Sequence, residues 1–247
     1  TRISIVNLSG KSTNRIQEGR GRAHQEGFSI AAISDQRVVQ AEFVNAPRGA
    51  VTNVLCDPGV EGRITPGPLS AISGIDCALA PKLIWGSSQP KQFVNLTSTI
   101  TLFQNWRATA NLDGQFQHWM HSDYLGARHT SYPTAQRIYL QDNAIDQAYR
   151  TVTRNGLAFH EAGFLKLREV SLSYSFSDQI AARLGADRGS LTLGVRNVGT
   201  VWLAQEMVGG ERITDPEMSR PNYDFQGESG GDWPPLAQWT VRLNLTF

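Results

Sequence analysis

The last twelve residues, Leu236 to Phe247 (LAQWTVRLNLTF), restrict the fold more than any other stretch. Trp239, Val241, Leu243, Leu245 and Phe247 share one parity, and Thr240, Arg242, Asn244 and Thr246 share the other. Alternation with period 2 marks a β-strand between an apolar and a polar surrounding. In a soluble sandwich the apolar face looks into a core. In an outer-membrane barrel it looks at lipid, and the polar face lines water. Two details favour the barrel: Phe247 follows the strand directly, and Trp239 and Phe247 lie eight residues apart on the apolar face. At about 3.3 Å per residue and roughly 45° of tilt, that is close to 20 Å along the membrane normal, near the spacing of two aromatic girdles. Trp239 and Phe247 are therefore girdle candidates, with Trp106 at the start of another alternating run as a third.

A hydrophobic content of 40% fits this expectation, because alternating strands never accumulate long apolar runs. No run of 18 apolar residues occurs, which excludes a transmembrane helix. The formal charge of +1, from 23 basic and 22 acidic residues, gives no sign of nucleic-acid binding. The opening Thr1-Arg2-Ile3-Ser4-Ile5-Val6 has no initiator Met and no signal-peptide pattern. It reads like the middle of a strand, so the expectation is the C-terminal part of a longer secreted protein.

Residues 1–9 alternate weakly, and 28–44 are strand-like, with Asp35-Gln36 as an interruption. Residues 45–90 are dense in Pro and Gly and read as a long functional loop or linker. Cys56 and Cys77 both lie in it. They are either two unpaired thiols or a disulfide, and an oxidising surface compartment favours the disulfide. Val94, Leu96, Ile100 and Leu102 alternate with Asn95, Thr97, Thr99 and Thr101, a tight turn follows at Gln104-Asn105, and alternation resumes from Trp106 to Met120. Residues 121–161 form a second long loop with a short helix over Ala144 to Arg150. From Gly163 to Phe176 the apolar parity changes near Arg168-Glu169, which predicts a β-bulge. A short helical turn capped by Ser177, a strand over 189–203, a third long loop at 204–235 and the closing strand complete the chain. Alternating short turns and long loops fit periplasmic turns at 104–105 and 177–188 and extracellular loops at 45–90, 121–161 and 204–235.

Phe164-Leu165-Lys166-Leu167-Arg168-Glu169-Val170-Ser171-Leu172-Ser173-Tyr174 resembles the F-x-x-L-R-x-V-x-L-x-Y strand of the SusC/RagA-type TonB-dependent outer-membrane receptors. Leu193-Gly194-Val195-Arg196-Asn197-Val198, Asp215-Pro216-Glu217 and Leu243-Asn244-Leu245-Thr246-Phe247 are similar to later segments of that family, in the same order. Upstream, Gly86-Ser87-Ser88-Gln89-Pro90 followed by Leu102-Phe103 resembles its Gly-x-x-x-Pro entry into a strand. The resemblance implies a 22-stranded barrel around an N-terminal plug. It also implies uptake of oligosaccharides, peptides or other large nutrients, powered by the TonB complex, and a surface lipoprotein lid of the SusD type. With about six or seven strands and no plug or TonB box, residues 1–247 are expected to be an all-β, antiparallel transmembrane β-barrel segment with long extracellular loops. Its partners are then the plug and N-terminal barrel strands, the TonB complex, the SusD-like lipoprotein and outer-membrane lipid, and its place the cell outer membrane. The rivals are a soluble β-sandwich binding module and a small passive barrel or adhesin.

Candidate site residues follow from these placements. Arg107, Asp113, Arg196 and Arg242 fall on the inward parity and line either a substrate path or a plug-docking surface. The loop aromatics Tyr124, Tyr132, Tyr139, Tyr149, Tyr223 and Trp233 either stack on sugar rings or pack the loops together. His121, His129, His160 and Asp123 match no metal-ligand spacing, and Glu206, Glu211, Asp215, Glu217 and Asp224 match no EF-hand. No carboxylate pair stands out for glycoside hydrolysis. The expectation is no metal, no cofactor and no catalysis.

Overall fold

The computed structural model describes residues 15–18, 21–45, 50–122, 125, 143–153, 155–208, 211–213, 215–217, 228–229 and 235–247. The weak strand expected over residues 1–9 lies outside them. The chain divides into two compact units: Thr1–Lys91, Gln117–Gly163 and Ala204–Trp233 form the first, and Gln92–Phe116, Phe164–Leu203 and Pro234–Phe247 the second.

Short strands build the first unit. They begin with β1 (Arg15–Glu18), β2 (Arg22–Gln25), β3 (Ala32–Asp35), β4 (Val38–Phe43), β5 (Val51–Cys56), β6 (Ile75–Asp76) and β7 (Leu83–Gly86). One sheet runs β1-β2-β3-β7 and another β4-β5-β6, all antiparallel. The predicted strand over 28–44 is thus two strands in two sheets, broken at Gln36-Arg37 beside the expected interruption. Residues 45–90, expected to be a long functional loop or linker, instead contain the strands β5, β6 and β7. Its Pro and Gly residues mark tight turns between short strands, and the buried Asp57 carboxylate organises one of them. Asp57 accepts hydrogen bonds from the Gly59 and Thr65 amides, both at 2.8 Å. A disulfide joins Cys56 at the end of β5 to Cys77 just beyond β6.

Two long strands of the second unit come next, β8 (Gln92–Leu102) and β9 (Trp106–Phe116), and then the chain returns to the first. There β10 (Trp119–Ser122), α1 (Ala144–Val152) and β11 (Phe159–Glu161) follow. The strand expected from Trp106 to Met120 is therefore two, broken where Gln117 takes a left-handed backbone (φ 60°). Asn143 caps α1, its side-chain oxygen accepting from the Ile145 amide at 2.9 Å. The helix packs Ala148 and Tyr149 on Val38, Cys56, Ala80 and Leu157. Tyr149 accepts a hydrogen bond from the Val38 amide at 3.1 Å through its buried hydroxyl. Trp85 sits edge-on to both Trp119 and Phe159, and a Cβ on Gly86 would lie 2.1 Å from the Trp119 ring.

Remaining strands are β12 (Phe164–Ser175), then α2 (Asp178–Arg183), β13 (Arg188–Leu203), β14 (Met207–Val208), β15 (Glu211–Arg212), β16 (Glu228–Ser229) and β17 (Gln238–Thr246). In the first unit β10 pairs antiparallel with β11 and parallel with β16, and β14 pairs with β15.

The second unit is one antiparallel sheet in the order β17-β13-β12-β9-β8. It has five long strands where six or seven were expected, because the alternating segments upstream of β8 belong to the smaller sheets. The β8–β9 turn is one residue wider than expected, spanning Phe103 to Asn105, with Phe103 and Gln104 at φ 48° and 63°. Ser177 holds the N-cap position of α2, but its hydroxyl makes no cap hydrogen bond; the Ile180 and Ala181 amides bond its carbonyl instead. The bulge expected at Arg168-Glu169 is present between Leu167 and Glu169, and a second register shift against β13 falls between Leu165 and Lys166. Residues enter or leave the sheet for the first unit at Gln92, Phe116, Phe164 and Leu203, which neighbour one another at one end; the turn after β8 and α2 lie at the other.

Candidate functional site

The ladder registers sort the second unit into two faces. Leu102, Trp106, Tyr174, Leu191 and Leu243 fall in one row across all five strands. Ile100, Ala108, Leu172, Leu193 and Val241 fall in the next, and Ser98, Ala110, Val170, Val195 and Trp239 in a third. The bulge keeps Leu165 and Leu167 in phase with Val170 and Leu172, which a regular strand would put on the opposite face. This apolar face is open: Leu96 is 56% exposed, Leu193 48% and Val241 73%.

Aromatic residues gather towards its two ends. Trp106 touches Tyr174, which touches Phe176, at the turn end; Phe116 meets Trp202 at the other. Trp106, Trp239 and Phe247 are all exposed here, the last two at 80%.

The opposite face is polar from the turn end as far as the row of Asn95, Asp113, Lys166 and Thr200; only the last row, Phe93, Gln115, Phe164 and Leu203, is largely apolar. Thr101, Arg107, Ser173, Thr192 and Arg242 align nearest the turns, and Thr97, Asn111, Glu169, Arg196 and Gln238 align farther along. Arg107, Asp113, Arg196 and Arg242 thus share one face. Asp113 holds the bulged Arg168, with Nη2 and Oδ2 at 2.5 Å, and Glu169 holds Arg196 at 3.2 Å. Neither Arg168 nor Glu169 was singled out as a partner from the sequence. The parity change was legible, but the residue it frees to reach sideways was not. Hydroxyls pair across strands, Ser173 with Thr192 at 2.8 Å and Thr99 with Thr109 at 3.2 Å.

The loop aromatics Tyr124, Tyr132, Tyr139, Tyr223 and Trp233, with His129, Asp123 and Asp224, lie outside the described residues. His121 and His160 are in β10 and β11 of the first unit, both buried, with His118 buried just before β10. Burial pushes His160 down to about 4, helped by His121 and His118 and opposed by the Ala158 carbonyl 3.4 Å from its Nδ1. His118 is lowered to about 4 by burial alone. Among the described residues, no group of three or more His, Cys, Asp or Glu is arranged to hold a metal ion. In the acidic loop, Asp215 accepts from the Glu217 amide at 3.0 Å, a local turn.

Two faces of opposite character on one antiparallel sheet can separate lipid from water. No protein-family model and no curated protein matches this sequence. Solved structures do match. The RagAB peptide importer in its open-open state aligns with a TM-score of 0.68 and 13% identity over 99% of this chain. The importer in its closed-closed state gives 0.67 and 12% over 96%, and a RagAB peptide transporter structure 0.61 and 14% over 95%. In each case this chain spans 25% of the matched chain. The likeness is one of fold: an all-β, antiparallel architecture shared with chains of those importers.

Proposed function

We propose that this chain is a stretch of the wall of an outer-membrane importer of the SusC/RagA type, together with its surface loops. In this role it takes up large nutrients, oligosaccharides or peptides, with energy from the TonB complex. The observation that carries the reading is the apolar face, contiguous over five strands and unburied. A soluble β-sandwich module would need Val94, Leu96, Ile100 and Leu102 covered by a second sheet, and all four are exposed. Every residue of β8, and all but one of β17, is exposed, as expected of edges that continue into further strands. The plug, the other barrel strands and a SusD-like lipoprotein are the partners this role requires. Trp106, Trp239 and Phe247 then sit at lipid headgroups. The fold likeness to peptide importers supports peptides as cargo.

An antibody against residues 204–235, used to blot outer-membrane fractions with and without boiling, tests the assignment. A heat-modifiable band several times larger than 27.2 kDa is expected. A band at 27.2 kDa, or a purified chain that stays monomeric without detergent, overturns it.

A further inference from the structure

The apolar face of the five-stranded sheet does not stop at its last full row. Beyond Leu102, Trp106, Tyr174, Leu191 and Leu243, the Phe176 ring and Leu245 both close over Gly189, and Phe247 follows. Two connections continue from there. The β8–β9 turn carries Phe103, 89% exposed, and its Asn105 carbonyl accepts from the Ser175 amide at 2.8 Å, which ties that turn to the start of the β12–α2 connection. Phe103 keeps a left-handed backbone at φ 48°, costly for a bulky side chain, and that cost holds an exposed aromatic ring at the tip of the turn. Helix α2 buries Ala181 and leaves Ile180 and Leu184 exposed. These two stand four residues apart and share one side of the helix. Arg183 lies next to them, and Asp178 is roughly 140° round the axis. Apolar side chains scattered singly are ordinary on a water-facing surface, but these gather at the same end of the sheet as the aromatic row.

We propose that α2 and the β8–β9 turn form an interfacial anchor, with Phe103, Ile180 and Leu184 among the outermost acyl-chain carbons and Arg183 on the phosphate of an anionic phospholipid. The inference rests on the reading of the apolar face as lipid-facing and adds what the turns themselves meet. A helix with aliphatic residues beside a cation lies in the plane of the interface. The arginine stem follows the apolar surface while its guanidinium, a planar fork of donors, stays at the level of the phosphates. Trp106 with Tyr174 marks that level on the strands, and both connections leave the sheet within a few residues of it. A plug that fills the lumen would meet the polar face, with Arg107 and Arg242, whereas the aromatic row that these turns extend belongs to the other face.

The test attaches a nitroxide to single introduced thiols in the outer-membrane protein, reconstituted in vesicles of phosphatidylethanolamine and phosphatidylglycerol. Cys56 and Cys77 are joined, so no native thiol of residues 1–247 competes. Collisions with oxygen report lipid, and collisions with a nickel chelate report water. A label at Leu184→Cys is expected roughly 5–10 Å below the phosphates. One at Asp178→Cys should lie in water, and one at Leu193→Cys, on the middle of the apolar face, deeper in lipid than both. Adding R183Q should lower the immersed-to-exposed ratio of the Leu184 label about fivefold, and this effect should vanish in phosphatidylcholine vesicles. Heat-modifiable mobility confirms folding of each variant. A water-exposed Leu184 label with a lipid-exposed Leu193 label overturns the anchor and leaves the wall standing. So does a Leu184 label hidden from both probes, which would mean a protein cover. An Asp178 label as deep as that at Leu184 would reject the orientation of α2, and a ratio indifferent to R183Q would reject the phosphate contact. Labels in water at both Leu184 and Leu193 would sink the wall and the anchor together.

Discussion

Gly114 leaves no room for a side chain. A Cβ there would lie 2.9 Å from the Phe164 carbonyl and 2.9 Å from the Phe116 ring, which covers the glycine. Gly114→Ala should therefore destabilise the sheet by about 1–3 kcal/mol, read as a lower denaturant midpoint; an unchanged midpoint would mean that the ring and the strand shift freely. Tyr149→Phe removes the hydroxyl bonded to the Val38 amide, inside the core around α1. It is expected to cost about 1–2 kcal/mol, and amide exchange at Val38 should accelerate with it. At this scale the sequence was legible where chemistry is self-announcing, as at Cys56 and Cys77. The Asp113–Arg168 pair was not legible, because it depends on which residue the bulge ejects and where that residue points.

Among the elements, the β10–β11 ladder is the acid-sensitive one. His118 and His160 are held well below the ordinary histidine value by burial. The neutral rings are tolerated and the charged ones are not, so stability is complete above about pH 6.5 and falls as pH drops towards 4. For His160 alone the loss is on the order of 3 kcal/mol. Asp146 on α1, raised to about 6 by burial, works the other way, favouring the fold below its unfolded value and losing that contribution as pH rises through 6. The two histidines outweigh the one carboxyl, so exchange protection of β10 and β11 should collapse between pH 6 and 4. Replacing both histidines by Gln should flatten the profile. The disulfide closes a 22-residue ring across β5 and β6, and its reduction should cost about 3 kcal/mol, seen as a thiol-dependent fall in the melting temperature of the first unit. Long alternating strands were readable because their periodicity repeats over many residues. The sheets hidden in 45–90 were not, because strands of two to six residues between prolines never establish a period.

For the whole molecule, the decisive question is what solvent the apolar face meets. Leu193 lies in the middle of that face, between Leu172 and Val241. In lipid, Leu193→Arg should cost about 2–4 kcal/mol and lower the yield of folding into vesicles; on a water-facing surface the same change would stay within about 0.5 kcal/mol. The overall two-faced plan was visible from parity alone. The number of strands was not, since alternation says nothing about which sheet a strand joins. The register shifts carry a geometric corollary. Between the same two rows, β9 advances five residues (Gln115 to Ala110), β12 six (Phe164 to Val170) and β13 eight (Leu203 to Val195). Strands of unequal contour length cannot lie flat side by side. The surplus is taken up at the register shifts, where a bulged strand bends and its twist increases, so the ribbon is kinked between these rows rather than evenly pleated.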